Sequence, residues 1–292
     1  MKKTAVIAVS TGCLDYLDIS YDNLFIVRCK IILDDKSYND FVDLNADTFY
    51  ETIKSDTSLV PTSSMPSLGE MLETFEEIEK QGYEEVIFNT ISSELSGTLQ
   101  TAEMAKKSYE GDLEIHLVDT KNAAISEGFL SIEALKLIEE GKTAKTIVPY
   151  LERLALARKQ YFMVDNLRLL VKNGRLSGAS GFLGRVFKIK PILEVNDDGK
   201  IVPFEKVRTQ QKALTKMVEH VLADLESLDN IVITYNTSDN KEGFEYVKSR
   251  IDEHYEDVPA YAAPITPVIG AHTGVGTVGI AYFDLDKAKR PN

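Results

Sequence analysis

The chain has 292 residues, of which 43% are apolar and 27% charged, so its composition supports a globular core and excludes a disordered or fibrous protein. The 46 Asp and Glu outnumber the 33 Lys and Arg, and the net charge of -13 argues against nonspecific binding to nucleic acid or to an anionic membrane. Only two cysteines, Cys13 and Cys29, are present, which excludes a disulfide framework and favours a reducing, cytoplasmic setting.

The first half of the chain alternates predicted strands with predicted helices. Apolar, β-rich runs predict strands over Thr4–Val9 and Leu24–Leu33. Ser67 begins a capping-box pattern, and the apolar periodicity after it predicts a helix that ends at Gly82. Further strands are predicted over 86–90 and 113–118, and further helices from about 97, over about 124–140 and over about 144–159. This βαβαβα order indicates a largely parallel sheet.

The second half of the chain has a different pattern, and we predict a domain boundary near residue 160. The expected parts are an N-terminal α/β parallel-sheet domain over 1–160 and a C-terminal mixed α/β domain over 161–292. Asn196-Asp197-Asp198-Gly199 predicts a tight turn, and therefore a hairpin, between two strands. The other predicted elements are strands over 161–164, 189–195, 200–207 and 231–235, helices over about 209–227 and 240–255, and two strands near the C-terminus.

Motifs required by several familiar enzyme classes are missing from the sequence. Residues 274–279 read G-x-G-x-x-G, but a β-rich run follows them instead of a helix, which argues against a dinucleotide site. No P-loop occurs, and neither Ser93 nor Ser96 lies in a nucleophile elbow. The four histidines lack H-x-x-x-H spacing and paired cysteines, so we predict no metal site. No apolar run is long enough to cross a bilayer, so we expect no stable membrane insertion.

Two hydroxyl-rich loops, over 61–67 and 91–98, each lie directly before a predicted helix, with Ser96 as the expected N-cap of the second. Helix N-termini favour anions, and loops of this kind meet at the carboxyl ends of parallel strands. The two loops are therefore either an anion site or simply helix caps. His272 favours a site, because it lies in a stretch without Asp, Glu, Lys or Arg over 258–283 and, if buried there, needs a polar partner. A core histidine satisfied by its surroundings is the alternative.

Charge is concentrated in one basic stretch. Between Arg158 and Lys190 the chain has eight basic residues and one acidic residue, Asp165. Such a stretch suits a phosphate or an acidic partner, and it is equally typical of a solvated face.

Seven segments of the chain, taken in order, carry a family resemblance. They are Tyr38 and Asp40 ahead of Asp43; Ser63-Ser64-Met65-Pro66; Ser92-Ser93-Glu94-Leu95-Ser96-Gly97-Thr98; Lys172-Asn173-Gly174-Arg175; Ile189-Lys190-Pro191-Ile192; Arg208-Thr209-Gln210; and Thr266-Pro267-Val268-Ile269-Gly270-Ala271-His272-Thr273-Gly274. Over nearly its whole length the sequence resembles the DegV family, fatty-acid-binding proteins that serve in many Gram-positive bacteria as FakB subunits of fatty acid kinase. Seven matches in order are far more specific than any one of them.

The resemblance implies a two-domain α/β fold, with a parallel-sheet, Rossmann-like N-terminal domain and a mixed C-terminal domain that enclose one long-chain fatty acid between them. The tail is expected in a closed apolar cavity. The resemblance assigns the carboxyl group to Ser63, Ser96 and His272. The supporting head-group loops are expected to include Thr62, Ser64, Ser93, Gly97 and Thr273.

The resemblance also implies a partner. A separate fatty acid kinase subunit is expected to phosphorylate the bound carboxyl group to an acyl phosphate, which feeds exogenous fatty acids into phospholipid synthesis. Arg208 and Arg175 are the expected kinase-docking residues. The chain itself then supplies substrate and no catalytic residue, and no cofactor or metal is implied.

Two segments depart from the family pattern. Ala8-Val9-Ser10 stands where the family often has Thr-Asp-Ser, which removes a carboxylate near the expected pocket. Ser63-Ser64-Met65-Pro66 stands where the family usually has Thr-Ser-Gln-Pro.

Two other functions stay open from the residues alone. One is a stand-alone serine hydrolase or acyltransferase that uses Ser96 or Ser93 with His272 as base, and the other is a regulatory module that binds another small anion.

Overall fold

The computed structural model describes residues 2–178 and 190–291. In chain order the strands are β1 (Thr4–Val9), β2 (Leu24–Val27), β3 (Lys30–Leu33), β4 (Lys36–Asn39), β5 (Thr62–Ser64), β6 (Glu85–Thr90), β7 (Glu114–Asp119), β8 (Arg158–Met163), β9 (Ile192–Val195), β10 (Ile201–Glu205), β11 (Ile231–Thr237), β12 (Ala260–Pro264) and β13 (Val278–Asp284). The helices are α1 (Ala46–Ser55), α2 (Leu68–Lys80), α3 (Thr98–Ser108), α4 (Ile125–Glu139), α5 (Ala144–Leu154), α6 (Arg168–Lys172), α7 (Gln210–Leu225), α8 (Lys241–Tyr255), α9 (Pro267–Thr273) and α10 (Leu285–Ala288).

The first sheet is parallel and has the strand order β2-β1-β6-β7. One of its two inner strands, β1, is buried along its whole length. Alternate side chains of a strand point to opposite sides, so both faces of the sheet are covered there. Ile7 belongs to the same core cluster as Phe75 of α2, whereas Val6 belongs to another cluster, with Tyr150 of α5. The parallel sheet expected from the βαβαβα pattern is confirmed.

The second sheet is mixed and has the order β10-β9-β8-β13-β11-β12. Among the described pairs of neighbouring strands, β11 and β12 are parallel and the other pairs are antiparallel. Strands β9 and β10 pair antiparallel on either side of the turn at 196–199, which confirms the hairpin. Helices α7 and α8 cover one face. The α/β class, with one parallel and one mixed sheet, is therefore confirmed, while the domain boundary at 160 stays a prediction.

Helix α4 joins the two sheets. A helix that is apolar all round belongs in an interior, and α4 is buried over most of its length. On one side it packs against β1, and on the other Phe129 packs against Phe283 of β13, with ring centroids 4.7 Å apart. The Ser126 hydroxyl lies 2.9 Å from the Thr234 hydroxyl of β11, so the contact between the two halves is polar as well as apolar.

A third sheet, of order β4-β3-β5, corrects the strand predicted over 24–33. That run is two strands in two different sheets, which separate at Arg28 and Cys29, where the Cys29 N–H donates to the Ser10 hydroxyl oxygen. The antiparallel register places Ser63 of β5 opposite Ile31 of β3. The hydroxyl-rich loop is therefore partly a strand.

Two further expectations differ from the structure: the end of one helix and the absence of a helix before the last strand. The helix predicted over 144–159 ends at Leu154, because Arg158 already pairs with Phe283 as the first residue of β8. The segment between the last two strands contains helix α9, which the sequence did not indicate. Residues 274–279 lead into a strand, as the argument against a dinucleotide site requires.

Arg185, Lys188 and Ile189 lie outside the described residues. Within the described ranges, no helix has the length and apolar character needed to cross a membrane.

Candidate functional site

A cavity of about 360 Å³ opens where the first sheet meets the second half of the chain. Thr11, Ile91 and Ala123 reach it from the segments that follow β1, β6 and β7, so it lies at the carboxyl ends of parallel strands, the usual ligand position in such sheets. Its size is typical of a small-molecule site. The described lining residues are Thr11, Cys29, Ser63, Ser64, Met65, Ile91, Leu95, Ser96, Gly97, Ala123, Leu170, Arg175, Ile201, Val268, Ile269, His272 and Thr273.

A serine and a histidine meet in the cavity wall. Ser63 is held by its pairing with Ile31, and His272 lies in the last turn of α9. The Ser63 Oγ and His272 Nε2 atoms are 2.7 Å apart, a short hydrogen bond. Two loops far apart in the sequence are thereby joined in one polar group.

His272 is neutral at physiological pH in this environment. Burial, with a smaller effect from the positive charge of Arg175, lowers the pKa of His272 to about 4. Its other ring nitrogen, Nδ1, is buried and has no hydrogen-bond partner among the described residues. A buried polar atom normally has a partner, so Nδ1 marks a place where a ligand's polar group can bind.

Helix α9, which carries His272, is fixed at its N-terminus by a buried carboxylate. Asp40 accepts hydrogen bonds from the Thr266 hydroxyl at 2.7 Å and from the Val268 N–H at 3.2 Å. Burial raises the pKa of Asp40 to about 6, although these hydrogen bonds act in the opposite direction. The position of His272 therefore depends on a residue well outside the cavity lining.

Ser96 is not the N-cap of α3, and this expectation is wrong. The N-cap is Gly97, and none of the described side chains caps the helix. The Ser96 hydroxyl instead lies 2.9 Å from the Thr98 hydroxyl, and Ser96 lines the cavity. A cap would have turned its oxygen towards the backbone amides of the helix, whereas this arrangement leaves it at the cavity wall.

The structure brings most of the expected site residues together. Those that line the cavity are Ser63, Ser64, Ser96, Gly97, Arg175, His272 and Thr273. Thr62 is exposed and Ser93 donates its hydroxyl hydrogen to Asp119 at 2.6 Å, and neither belongs to the lining. Arg208 is exposed on the segment after β10. The ligand and docking roles of all these residues stay predictions.

The serine–histidine pairs needed for the hydrolase alternative do not form. Ser93 is bonded to Asp119 and Ser96 to Thr98, and it is Ser63 that meets His272. A hydrolytic triad also needs a third group that orients the histidine, and Nδ1 of His272 has no such partner in the described part of the chain.

Ten of the described lining residues were not identified as site residues from the sequence, and Thr11, Cys29 and Met65 are among them. Thr11 had a usable signal, because it follows the first parallel strand directly. Its hydroxyl donates to the carboxylate of Glu127 at 2.7 Å, and burial holds the pKa of Glu127 well above its usual value. Cys29 and Cys13 are both buried free thiols, and only Cys29 is among the lining residues described.

Comparison with known proteins identifies relatives that match this chain over nearly their whole length and nearly the whole of this chain. A family model described as "Uncharacterised protein, DegV family" matches residues 3–285. A DegV domain-containing protein of Halalkalibacterium halodurans is 32% identical over 97% of this chain and 99% of its own length. The crystal structure of DegV, a fatty acid binding protein from Bacillus subtilis, is 29% identical, with a TM-score of 0.87 over 97% of this chain and 100% of that chain.

A further solved structure shares the fold. It is the Streptococcus pneumoniae Fatty Acid Kinase (Fak) B3 protein loaded with linoleic acid, which is 22% identical. Its TM-score is 0.83, with 97% of this chain and 99% of that chain covered. At this identity the likeness extends to the fold alone.

Proposed function

The chain belongs to the DegV family, and from that membership we propose that it binds one long-chain fatty acid in the cavity and presents the carboxyl group to a separate kinase. The observation that carries the proposal is the buried Nδ1 of His272, which has no hydrogen-bond partner in the described ranges and lies beside Ser63 in a largely apolar cavity. The related Bacillus subtilis protein, whose structure covers the whole fold, is a fatty acid binding protein.

The apolar wall of the cavity suits an acyl tail. Its aliphatic members are Ile91, Leu95, Leu170, Ile201, Val268 and Ile269. At about 0.8 kcal/mol per buried CH₂, a tail of roughly sixteen carbons gives on the order of 12 kcal/mol of gross transfer free energy before the costs of association. A long acyl tail therefore has a large driving force for burial against this wall.

The polar residues of the cavity suit a carboxyl group. A buried carboxylate is stable only when hydrogen bonds and positive charge compensate its lost hydration. Ser96 supplies one hydrogen bond, and the bonded pair of Ser63 and neutral His272 supplies a second, from Nδ1–H or from the Ser63 hydroxyl according to the tautomer of the ring. Arg175 supplies positive charge at the same wall. Among the hydroxyl groups of the two loops, we therefore assign the binding of the carboxyl group to those of Ser63 and Ser96.

The proposal places phosphorylation in a partner protein. A carboxylate oxygen of the bound fatty acid attacks the γ-phosphorus of ATP held by the kinase, ADP leaves, and an acyl phosphate forms for phospholipid synthesis. The motif resemblance to FakB subunits and the exposure of Arg208 support this step. Arg208 and Arg175 are assigned to docking the kinase, and this chain provides no catalytic residue.

Mass spectrometry of the gently purified chain tests the binding step. Native spectra give the mass of any carried ligand, and denaturing extraction identifies it. We expect one fatty acid per chain, and reduced retention of added fatty acid in the double variant S63A/H272A. His254→Ala, on the exposed surface of α8, is the control and should retain the ligand.

Two outcomes would count against fatty acid binding. One is a small anion without an acyl tail in place of the fatty acid, which would favour the regulatory-module alternative. The other is an empty chain that also fails to take up added fatty acids, which would leave only the fold.

A further inference from the structure

A second group of chemically active side chains lies at the other end of the parallel sheet. We propose that Glu85, Glu114 and His116 bind a divalent transition-metal ion, with Zn²⁺ as the reference ion. One donor atom from each of the three side chains lies within 4.8 Å of the others. The group is separate from the cavity, because Glu85 and Glu114 begin β6 and β7, whereas the cavity lies where these strands end.

The sheet register places the three side chains on one face. In the parallel pair β6 and β7, Glu85 lies beside Glu114 and Ile87 beside His116. Glu114 and His116 are two residues apart on one strand, so their side chains point to the same side. Two strands far apart in the sequence therefore supply the donors, which is why a search for H-x-x-x-H spacing or paired cysteines did not find them.

The distances are close to those of a coordinated ion. With Zn–N and Zn–O bonds of about 2.0–2.2 Å, donors in a tetrahedral site lie about 3.3–3.6 Å apart. The Nε2 atom of His116 is 3.4 Å from Oε1 of Glu114 and 3.9 Å from Oε2 of Glu85. The His116–Glu114 distance already lies in this range, the His116–Glu85 distance is slightly longer, and all three donors lie within 4.8 Å, so a modest inward movement of the side chains would bring them around one ion, with solvent as the fourth ligand.

The histidine gives an independent sign that a partner is required. The Nε2 atom of His116 is buried and has no hydrogen-bond partner among the described residues, although it faces two carboxylates. The side chain of Glu85 is only 8% exposed. A carboxylate at that depth is costly unless both oxygens are compensated, and a cation between its Oε2 atom and the imidazole would compensate both groups.

A hydrogen bond outside the group orients the buried ligand. The Thr4 hydroxyl donates to Oε1 of Glu85 at 2.6 Å, which leaves Oε2 directed towards His116. Such outer contacts fix ligand geometry in known metal sites. On the solvent side Lys2 donates to Oε2 of Glu114, so the site carries a built-in competing cation while Oε1 remains available.

The donor set indicates the class of ion. Two carboxylate oxygens and one imidazole nitrogen suit Zn²⁺ and the related ions Co²⁺ and Mn²⁺, whereas soft ions such as Cu⁺ prefer sulfur. Half of the Glu114 side chain is exposed, so an ion reaches the group from solvent. Because the site joins two adjacent strands, a bound ion should stabilise the first sheet by mass action.

Titration of the metal-free, full-length chain with ZnCl₂ by calorimetry tests the proposal, with Co²⁺ absorption spectra as a second readout. We expect one saturable site, a raised melting temperature, and at least roughly tenfold weaker binding in H116Q and T4V. Lys2→Gln removes the competing cation and should strengthen binding. This exposed variant should fold normally, so the test holds even if changes at Glu85 disturb the sheet.

His220→Gln is the matched control. The Nε2 atom of His220 lies 3.0 Å from Glu205, so it is also a histidine–carboxylate contact, but Lys216 replaces the second carboxylate there. Zn²⁺ binding that is lost in H116Q and kept in H220Q supports the site. Absence of saturable binding, or equal binding in wild type, H116Q and K2Q, would overturn the proposal.

Discussion

The side-chain amide of Asn173 donates a hydrogen bond to the backbone oxygen of Ala271 at 2.9 Å, directly before His272 in the chain. The same amide group donates to the oxygen of Pro61 at 3.2 Å, two residues before Ser63. One side chain thus ties together the two segments that form the serine–histidine pair. The geometry of the pair depends on this link. At the N-terminus of α9, Asp40 holds the helix through its hydrogen bonds with Thr266 and Val268.

We expect Asn173→Ala to loosen the head-group site. It removes two hydrogen bonds, each contributing about 1 kcal/mol, without touching the cavity wall. Fatty acid should dissociate on the order of tenfold faster, measured by transfer of a fluorescent fatty acid to excess acceptor vesicles. Asn230→Ala, which removes an exposed hydrogen bond to Asp286, should leave the rate unchanged. An unaltered rate in N173A would show that Asn173 does not position the site.

The low pKa of His272 predicts a specific pH dependence for the ligand-free chain. In the unfolded chain this histidine takes up a proton near pH 6.5, whereas in the folded chain it does so only near pH 4. Between these values the unfolded state binds more protons, so acidification from pH 6.5 towards 4 lowers the free energy of unfolding.

Comparison with His272→Gln isolates this contribution. Between pH 6.5 and pH 4.5 the wild type should lose about 2 kcal/mol more stability than the variant, as measured by urea unfolding. Asp40, whose pKa is raised to about 6, acts in the opposite direction over part of the same range, and it is present in both proteins, so its effect cancels. Parallel stability curves for the two proteins would contradict a neutral, buried His272.

Arg208→Glu should separate lipid binding from kinase docking. Arg208 is exposed and does not line the cavity, so the variant should retain fatty acid as the wild type does. Reversal of its charge at a docking surface should abolish acyl phosphate formation with the cognate kinase and ATP. Arg250→Glu, a charge reversal on the exposed face of α8, is the control. Undiminished acyl phosphate formation by R208E would remove Arg208 from the interface.

Local sequence patterns predicted the elements whose determinants are local. The strand Thr4–Val9 and the capping box at Ser67 follow from residues that lie next to each other in the chain, and the structure has both. The split at Cys29 and helix α9 depend on distant partners, Ser10 for the first and Asp40 for the second. No periodicity within a short window carries that information.

The candidate site, too, has features that the local sequence predicts and features that depend on distant contacts. The hydroxyl-rich loops and His272 stand out by composition, so the sequence could single them out. That Ser63 and not Ser93 meets His272 depends on the register of β5 against β3 and on the hydrogen bond that Asp119 accepts from Ser93. Thr11 and Cys29 reach the cavity through strand order, which only the folded chain defines.

Gly128 tests how closely α4 must pack against the segment after β1. A Cβ atom at this position would lie 2.1 Å from the backbone oxygen of Gly12, so Gly128→Ala forces a backbone shift. We expect a loss of about 1–3 kcal/mol in the free energy of unfolding, measured with urea. Gly69→Ala is the matched control, because a Cβ there would meet only the Ser67 hydroxyl at 4.0 Å, and alanine favours the helix by up to about 1 kcal/mol. If both variants were equally stable, the close approach of Gly12 and Gly128 would not constrain the fold, and α4 would have room to move beneath Thr11 and the cavity.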